Sequence, residues 1–168
     1  MGLSGESCHF VVIRGGCKGK EILSTTFRGN YSHNIDAKGR ICIPVRFREA
    51  LTESFVVTKG FDGCLYAFAP EEWDIFDEKL RQLPLDNADA RKLSRFFLGG
   101  AVDAEPDKQG RILLPQNLLD HADIKKEAVV VGVGPRLEIW SRERWDGAST
   151  FEDIEDIAQA MSTYGLRI

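Results

Sequence analysis

The sequence predicts a mainly β protein with short helices, an α+β fold built from a tandem repeat. Asp36–Pro44 (DAKGRICIP) recurs as Asp107–Pro115 (DKQGRILLP), 71 positions later (107 minus 36). A second echo aligns Leu65–Trp73 with Leu137–Trp145, and short β-rich runs lie between the two echoes. A period that keeps one acid, one glycine, one arginine and one proline in register indicates a single supersecondary unit that was built twice.

Each unit is predicted to run strand, turn, strand, short helix, strand and strand, with a glycine-containing turn between the last two strands. The second strand ends at a proline, Pro44 or Pro115, which can open a helix as its first residue. Runs of apolar and β-branched residues predict the strands themselves. The expected strands are Tyr31–Ile35, Arg40–Ile43, Phe55–Thr58 and Leu65–Phe68 in the first unit, and Gly100–Ala104, Arg111–Leu114, Ala128–Val131 and Leu137–Trp140 in the second.

The two Asp-x-x-Gly segments are predicted to be tight turns. An aspartate side chain stabilises a turn by accepting hydrogen bonds from nearby backbone groups, and glycine tolerates a positive φ. We therefore assign turn-shaping roles to Asp36, Gly39, Asp107 and Gly110. At these strand ends we expect the neighbouring side chains to project outward and the backbone N–H groups to be free.

The segment between the units and the tail are both predicted to be helical. Apolar residues recur at helical spacing over Pro70–Leu98, and Pro84 divides this pattern into two helices. The tail predicts an acidic amphipathic helix that docks on its own chain or on a neighbour. We expect all of these apolar stripes to pack in the core rather than to form a separate partner-binding surface. The stripe of the tail consists of Phe151, Ile154, Ala158 and Met161.

The chain is predicted to divide into an extension at 1–26, a first unit at 27–76, a helical connection at 77–99, a second unit at 100–146 and an acidic C-terminal helix at 147–168. The extension has no counterpart in the second unit and no sustained hydrophobic period. We therefore expect a disordered arm or a segment upstream of the true translation start. The second interpretation follows from Lys18–Glu21, whose purine-rich codons would resemble a ribosome-binding site.

Composition places this chain among soluble globular proteins, since 43% of its 168 residues are hydrophobic and 29% are charged. No apolar run approaches the roughly 20 residues that a membrane helix needs. Phe10–Ile13 is too short for the core of a secretory signal. The expected location is the cytoplasm.

The four cysteines predict free thiols, because no pair has the C-x-x-C spacing of a metal or redox site. A metal site formed by Cys8, His9 and Cys17 would lack a fourth ligand at short range. We therefore expect neither a metal nor another cofactor. The remaining cysteines are Cys42 and Cys64.

Two loops imitate catalytic or ligand-binding motifs without completing them. Gly132–Pro135 resembles the opening of a dinucleotide-binding loop, but the third glycine is missing and a strand follows where a helix is needed. Asp103–Gly110 resembles a calcium loop, yet its glycine is misplaced and no glutamate closes it. No enzyme activity and no small-molecule substrate are expected.

The charge of −4 argues against indiscriminate nucleic-acid binding, unless the basic residues are clustered. The acidic residues gather in the tail, at 151–168, and basic residues gather around the first motif. These basic residues are Arg28, Lys38, Arg40, Arg46 and Arg48.

The turns bring Lys38 beside Arg40 in the first unit and Lys108 near Arg111 in the second. Such turns can contact phosphates, and an arginine can read the O6 and N7 atoms of guanine. The alternative is that each arginine pairs with the aspartate of its turn and braces the hairpin. Both can hold at once, because a carboxylate can orient the guanidinium that binds.

Phe27–Arg48, Asp107–Pro115 and the preceding Phe97–Ala101 closely resemble the MraZ family of bacterial transcriptional regulators, which contain two AbrB-like units. The likeness covers about residues 27–150. It implies a double swapped-hairpin β-barrel and ring-shaped homo-oligomers. It also implies repression through short direct repeats of double-stranded DNA in the promoter of the division and cell-wall gene cluster, with the protein at the nucleoid.

The family's D-x-x-x-R motif falls on Asp36–Arg40 and Asp107–Arg111. The resemblance implies that Arg40 contacts DNA, with Lys38 beside it. Gln109 and Leu113 stand in the second unit where the first has Lys38 and Cys42, which leaves open whether both turns contribute equally. The alternative function is an antitoxin-like protein-interaction module with the same fold.

Overall fold

The computed structural model describes residues 26–165, which form eight strands and six α-helices. The strands are β1 (Phe27–Asn34), β2 (Arg40–Cys42), β3 (Phe55–Lys59), β4 (Leu65–Phe68), β5 (Val102–Ala104), β6 (Arg111–Leu113), β7 (Glu127–Gly134) and β8 (Arg136–Ser141). The helices are α1 (Val45–Leu51), α2 (Pro70–Arg81), α3 (Ala88–Leu98), α4 (Gln116–Ala122), α5 (Arg142–Ala148) and α6 (Ile154–Met161).

Six strands form one antiparallel sheet in the order β1-β7-β8-β4-β3-β5, and β2 and β6 form a separate two-stranded ribbon. The sheet mixes the two units, because β1 of the first pairs with β7 of the second, and β5 of the second pairs with β3 of the first. In the ribbon, Ile41 faces Ile112, its own counterpart one repeat later. The two units are therefore related by a pseudo-twofold axis that passes through the ribbon.

The sheet is covered on both faces, which explains why its central strands are almost continuously apolar. On one face the ribbon, α1 and α4 enclose a core that includes Ile41 and Ile112. On the other face α2, α3 and α5 enclose an aromatic core that includes Tyr66, Phe97 and Trp140. Each central strand contributes alternate residues to the two cores.

All eight predicted strands are present, and the bounds of seven of them differ from the prediction by one residue or more. β1 begins at Phe27 rather than Tyr31 because it pairs along its whole length with β7. Gly132, which was predicted to open a turn, lies inside β7, where a Cβ atom would collide with the backbone of Arg28 on β1. The chain turns instead at Gly134, whose φ is +63°.

The predicted break at Pro84 is also confirmed. α2 ends at Arg81, and α3 begins after Asn87, whose side chain accepts hydrogen bonds from the N–H groups of Asp89 and Ala90. These helices are 12 and 11 residues long. The structure is therefore a mixed α/β fold with an antiparallel sheet, which agrees with the expected α+β class, and these two helices are longer than the short helices expected within the units.

The apolar stripes of the helices differ in whether they are buried. Those of α2 and α3 pack in the aromatic core, as expected. The stripe of α6 does not, since no residue of α6 is buried, and the expectation of core packing is wrong for this helix.

Two predicted segments extend beyond the described residues. Apart from Thr26, the extension predicted at 1–26 lies outside them, as do the last three positions of the tail. Among the described helices, none has both the length and the hydrophobicity required to cross a membrane.

Candidate nucleic-acid interface

The first turn, residues 36–40, is closed by the side chain of its aspartate. Asp36 Oδ1 accepts hydrogen bonds from the N–H groups of Lys38 and Arg40, each at 2.9 Å. The N–H of Gly39 donates to the carbonyl oxygen of Asp36 at 2.9 Å. Gly39 has a φ of +79°, which an L side chain adopts only at a cost.

The second turn, residues 107–111, repeats this geometry. Asp107 Oδ1 accepts from the N–H groups of Gln109 at 2.9 Å and Arg111 at 3.0 Å. The N–H of Gly110 donates to the carbonyl oxygen of Asp107 at 2.8 Å, and Gly110 has a φ of +75°.

Both arginines are held by the aspartate of their own turn. Nε of Arg40 donates to Oδ2 of Asp36 at 2.7 Å, and Nε of Arg111 donates to Oδ2 of Asp107 at 2.9 Å. The arginine side chains are 30% and 31% exposed. Nη2 of Arg111 also lies 2.8 Å from Oδ2 of Asp107, so Arg111 contacts its aspartate through two nitrogens. The other amino groups of both guanidinium groups are hydrogen-bond donors that these contacts do not use.

Three backbone N–H groups of each turn are not free, contrary to expectation. In the first turn the N–H groups of Lys38, Gly39 and Arg40 donate to oxygen atoms of Asp36. In the second turn the N–H groups at the equivalent positions donate to Asp107. Because the oxygen atoms of the aspartate accept these N–H groups, the N–H groups are not available to a ligand. A ligand at these turns would therefore be contacted mainly by side chains.

The carboxylates that hold the turns have lowered pKa values. The pKa of Asp107 falls from 3.8 to about 2, mainly because the backbone N–H of Arg111 donates to its carboxylate, and the guanidinium of Arg111 adds to the effect. The pKa of Asp36 is lowered for the same reasons by Arg40. Both aspartates are thus ionised near neutral pH, and both ion pairs are formed.

The ribbon places the two arginines on one face. Ile41 and Ile112 point into the core, and the residues before and after them alternate to the outer face. Arg40 pairs with Leu113, and Arg111 pairs with Cys42. The two arginines are therefore diagonal neighbours across the ribbon, with Cα atoms about 8 Å apart.

The two turns lie at opposite ends of this ribbon, because β2 and β6 are antiparallel. The carbonyl of Gly39 accepts from the N–H of Leu114, and the carbonyl of Gly110 accepts from the N–H of Ile43. Gly110 thus lies opposite Ile43, which is four residues after Gly39 in the chain. At a rise of about 3.3 Å per residue, the two turns are roughly 13 Å apart along the ribbon.

One lysine extends each turn into solvent. Lys38 and Lys108 are both exposed, and neither forms an ion pair within residues 26–165. Together with the two arginines they complete the set of basic site residues predicted from the sequence, and all four belong to the ribbon and its turns.

The helix that packs against each turn comes from the other unit, and the two helices differ. Gly39 lies against Leu119 of α4, whose Cδ1 atom would be 3.2 Å from an added Cβ atom. Gly110 lies against the guanidinium of Arg48, the counterpart of Leu119 on α1. Arg48 donates from Nε to the carbonyl oxygen of Ile43 at 2.7 Å.

A cleft of about 590 Å³ adjoins the first turn. Its walls combine the turn with the end of the ribbon and with α4, and they carry the acidic residues Asp120 and Asp123. Asp123 pairs with Lys125 at 2.9 Å. The first turn therefore lies near acidic side chains, whereas the second lies against an arginine.

Sequence reasoning did not assign a site role to Arg48 or Leu113. Both could have been found from the repeat register, since Arg48 aligns with Leu119 and Leu113 with Cys42. Leu113 is 60% exposed on the outer face of the ribbon, an unusual position for leucine beside an arginine.

The cysteines and candidate metal ligands show no clustering in the described part. Cys42 and Cys64 are free thiols, and burial raises the pKa of Cys64 to about 12. No group of His, Cys, Asp and Glu side chains within residues 26–165 is arranged to hold a metal ion. Cys8, His9 and Cys17 lie outside the described residues.

Comparison with known proteins agrees with the doubled architecture. A family profile described as "MraZ protein, putative antitoxin-like" matches the chain twice, at residues 26–96 and 97–163. The chain is 52% identical over 141 residues to the transcriptional regulator MraZ of Clostridium tetani, covering 83% of this chain and 99% of that protein.

Two further relatives carry the same name. The chain is 52% identical over 140 residues to the transcriptional regulator MraZ of Lachnoclostridium phytofermentans, covering 83% of this chain and 98% of the relative. It is 50% identical over 142 residues to that of Ligilactobacillus salivarius, covering 83% and 99%. With both units matched and half of the aligned residues identical, the chain belongs to the MraZ family.

Proposed function

We propose that the protein is a sequence-specific DNA-binding transcriptional regulator that acts as a repressor and contacts double-stranded DNA through the outer face of its ribbon. The observation that carries this proposal is the pair of arginines on that face, each oriented by an aspartate and flanked by a lysine-bearing turn. The relatives, which are named transcriptional regulators, support the same function.

The dimensions of the ribbon suit a major groove. Such a groove is about 12 Å wide and admits a two-stranded ribbon, and the turns are roughly 13 Å apart. Arg40 and Arg111 would donate to guanine O6 and N7, and the exposed Leu113 would contact a thymine methyl group. Lys38 and Lys108, at the two ends, would reach phosphates on either side.

One chain offers few contacts, and its net charge of −4 opposes binding to DNA. Useful affinity therefore requires several protomers that present their ribbons together. We propose a ring-shaped homo-oligomer that binds successive direct repeats in the promoter of the division and cell-wall gene cluster, in the cytoplasm at the nucleoid.

The proposed protomer architecture is a double swapped-hairpin β-barrel. It is supported by the exchange of first strands between the units, in which β1 pairs with β7 and β5 pairs with β3. The ribbon likewise consists of one strand from each unit, β2 and β6, so the candidate interface requires both units in one chain.

Footprinting on DNA from upstream of the chain's own gene tests the proposed function. We expect protection of regularly spaced short repeats that weakens steeply as salt concentration rises, because phosphate contacts release counterions. No protection at low salt, together with capture of one stoichiometric protein partner in the absence of DNA, would favour the antitoxin-like alternative.

A further inference from the structure

The C-terminal helix α6 carries an apolar stripe that the described part of its own chain, residues 26–165, leaves uncovered. Ile154 and Met161 of the stripe are 48% and 40% exposed, and Phe151, just before the helix, is 60% exposed. Ile157, which is 45% exposed, lies on the same helix face three positions after Ile154 and belongs to the stripe as well. Neither hydrophobic core includes a residue of α6. Adjacent exposed apolar side chains on one face of a helix mark an interaction surface.

The charges around this stripe are of one sign. Glu152, Asp153, Glu155 and Asp156 are exposed, and residues 150–165 contain no lysine or arginine. A surface that covers α6 therefore needs apolar side chains with cations beside them.

Helix α3 presents such a surface. Arg91, Arg95 and Leu98 follow the i, i+4, i+7 spacing of one helix face, and all three are exposed. Lys92 is exposed next to them. Within residues 26–165, neither Lys92 nor Arg95 forms an ion pair, so their charges are available to an acidic partner.

An exposed aromatic ring extends the apolar part of this surface. Phe61 is 51% exposed and stacks on Phe96 of α3, with ring centroids 6.0 Å apart. Leu98 at the end of α3 is 38% exposed. The surface thus joins apolar groups to a row of cations, which complements the stripe and the acids of α6.

We propose that the apolar stripe of α6 docks on α3 and Phe61 of a second copy of this chain. The two surfaces are different, so the contact is heterologous, and repetition closes a ring or extends a filament. This proposal rests on the self-assembly included in the proposed function and identifies the contact that builds it.

The test compares two glutamate substitutions on α6 of the full-length chain. Ile157→Glu places a charge in the stripe, and Gln159→Glu adds the same charge two positions away, outside the stripe. We expect light scattering during size-exclusion chromatography to give a multiple of the chain mass for the unmodified protein and Gln159→Glu, and a single-chain mass for Ile157→Glu. Circular dichroism should show that both variants are folded.

Charge reversal identifies the acceptor. Replacing Lys92 and Arg95 with glutamate should weaken self-association at least tenfold, as should replacing Asp153 and Glu155, which flank the stripe, with lysine. Combining the four substitutions should restore most of the loss, which a general destabilisation of either helix would not do.

The outcomes separate this contact from the assembly itself. An oligomer that persists unchanged in Ile157→Glu would overturn the contact while leaving self-assembly intact. Lower thermal stability of Ile157→Glu without a change in mass would place the stripe on its own chain and also overturn it. An unmodified protein that is monomeric would overturn both the contact and the ring, whereas DNA protection would be judged separately by footprinting.

Discussion

The first and second turns share their internal hydrogen bonds but not their surroundings. In each, the aspartate accepts two backbone N–H groups at 2.9–3.0 Å and binds its arginine through Nε. The first turn lies against Leu119 near acidic side chains, and the second lies against the guanidinium of Arg48. The two turns thus have the same backbone conformation, while the residues that pack around them differ in charge.

The difference follows from the exchange of strands between the units. Because β2 pairs with β6 in antiparallel fashion, each turn meets the helix of the other unit. A change in α1 therefore alters the second turn, and a change in α4 alters the first. The residues within a turn do not include the charges of the helix that packs against it. Because of that helix, the surroundings of the second turn are more positive, and those of the first are more negative, than the turn residues alone indicate.

The largest expected effect comes from replacing the turn glycines with alanine. Gly39→Ala and Gly110→Ala should each lower the free energy of unfolding by about 1–2 kcal/mol, because both require a left-handed φ. Urea denaturation of the two variants measures the loss.

A double-mutant cycle then separates the two turns. The Cβ atom of Gly110→Ala must displace Arg48 from the carbonyl of Ile43, so its cost should fall by about 1 kcal/mol in an Arg48→Ala background. The cost of Gly39→Ala should not change in that background. Equal coupling of both glycines to Arg48 would contradict the difference in their surroundings.

A smaller effect is expected from the turn lysines. Lys38→Gln and Lys108→Gln should each weaken DNA binding similarly across sequences and reduce the slope of log affinity against log salt by about 1 per bound protomer. Fluorescence anisotropy across a salt series measures the slope, with the exposed Lys79→Gln on α2 as control. An unchanged slope in Lys108→Gln would restrict the DNA contact to the first turn.

The smallest effect is a pH dependence of stability at low pH. The pKa of Asp107 is about 2 in the folded chain against 3.8 unfolded, so between these values the unfolded chain binds more protons. This contribution to stability is complete above about pH 4 and is lost as pH falls towards 2. Asp36 contributes with the same sign.

Asparagine substitutions test this assignment. Asp107→Asn and Asp36→Asn should each flatten the loss of unfolding free energy between pH 5 and pH 3, because each removes a carboxylate whose pKa is lowered in the folded chain. Urea denaturation at the two pH values gives the comparison. A loss that is as steep in both variants as in the unmodified chain would assign the acid sensitivity to other carboxylates.

Much of the fold could be predicted from the sequence, because the signals were local. The break at Pro84, the turn glycines and the β-rich runs each act within a few residues. Pairing between units could not be predicted, since strand alternation does not specify a partner. The extension of β1 to Phe27 and the inclusion of Gly132 in β7 both follow from that pairing.

The residues of the candidate site could be proposed from the sequence, but their arrangement could not. The motif identified Arg40 and Arg111, yet their place on one face depends on the register of β2 with β6. The stripe of α6 was expected to pack in the core, but none of its residues is buried. Helical periodicity shows which side chains share a face of the helix, but it does not show what covers that face.

The most direct test of the central claim is a gel-shift titration of Arg40→Ala on DNA from upstream of the chain's own gene. The matched control is Arg81→Ala, which removes an arginine that is also paired with an aspartate four residues earlier, Asp77, but lies on α2. If Arg40 reads a base, its loss removes about 1–3 kcal/mol per contact, so affinity should fall at least about fivefold, while Arg81→Ala binds normally. Full affinity in folded, normally assembled Arg40→Ala would contradict the assignment of the ribbon face as the DNA-binding surface.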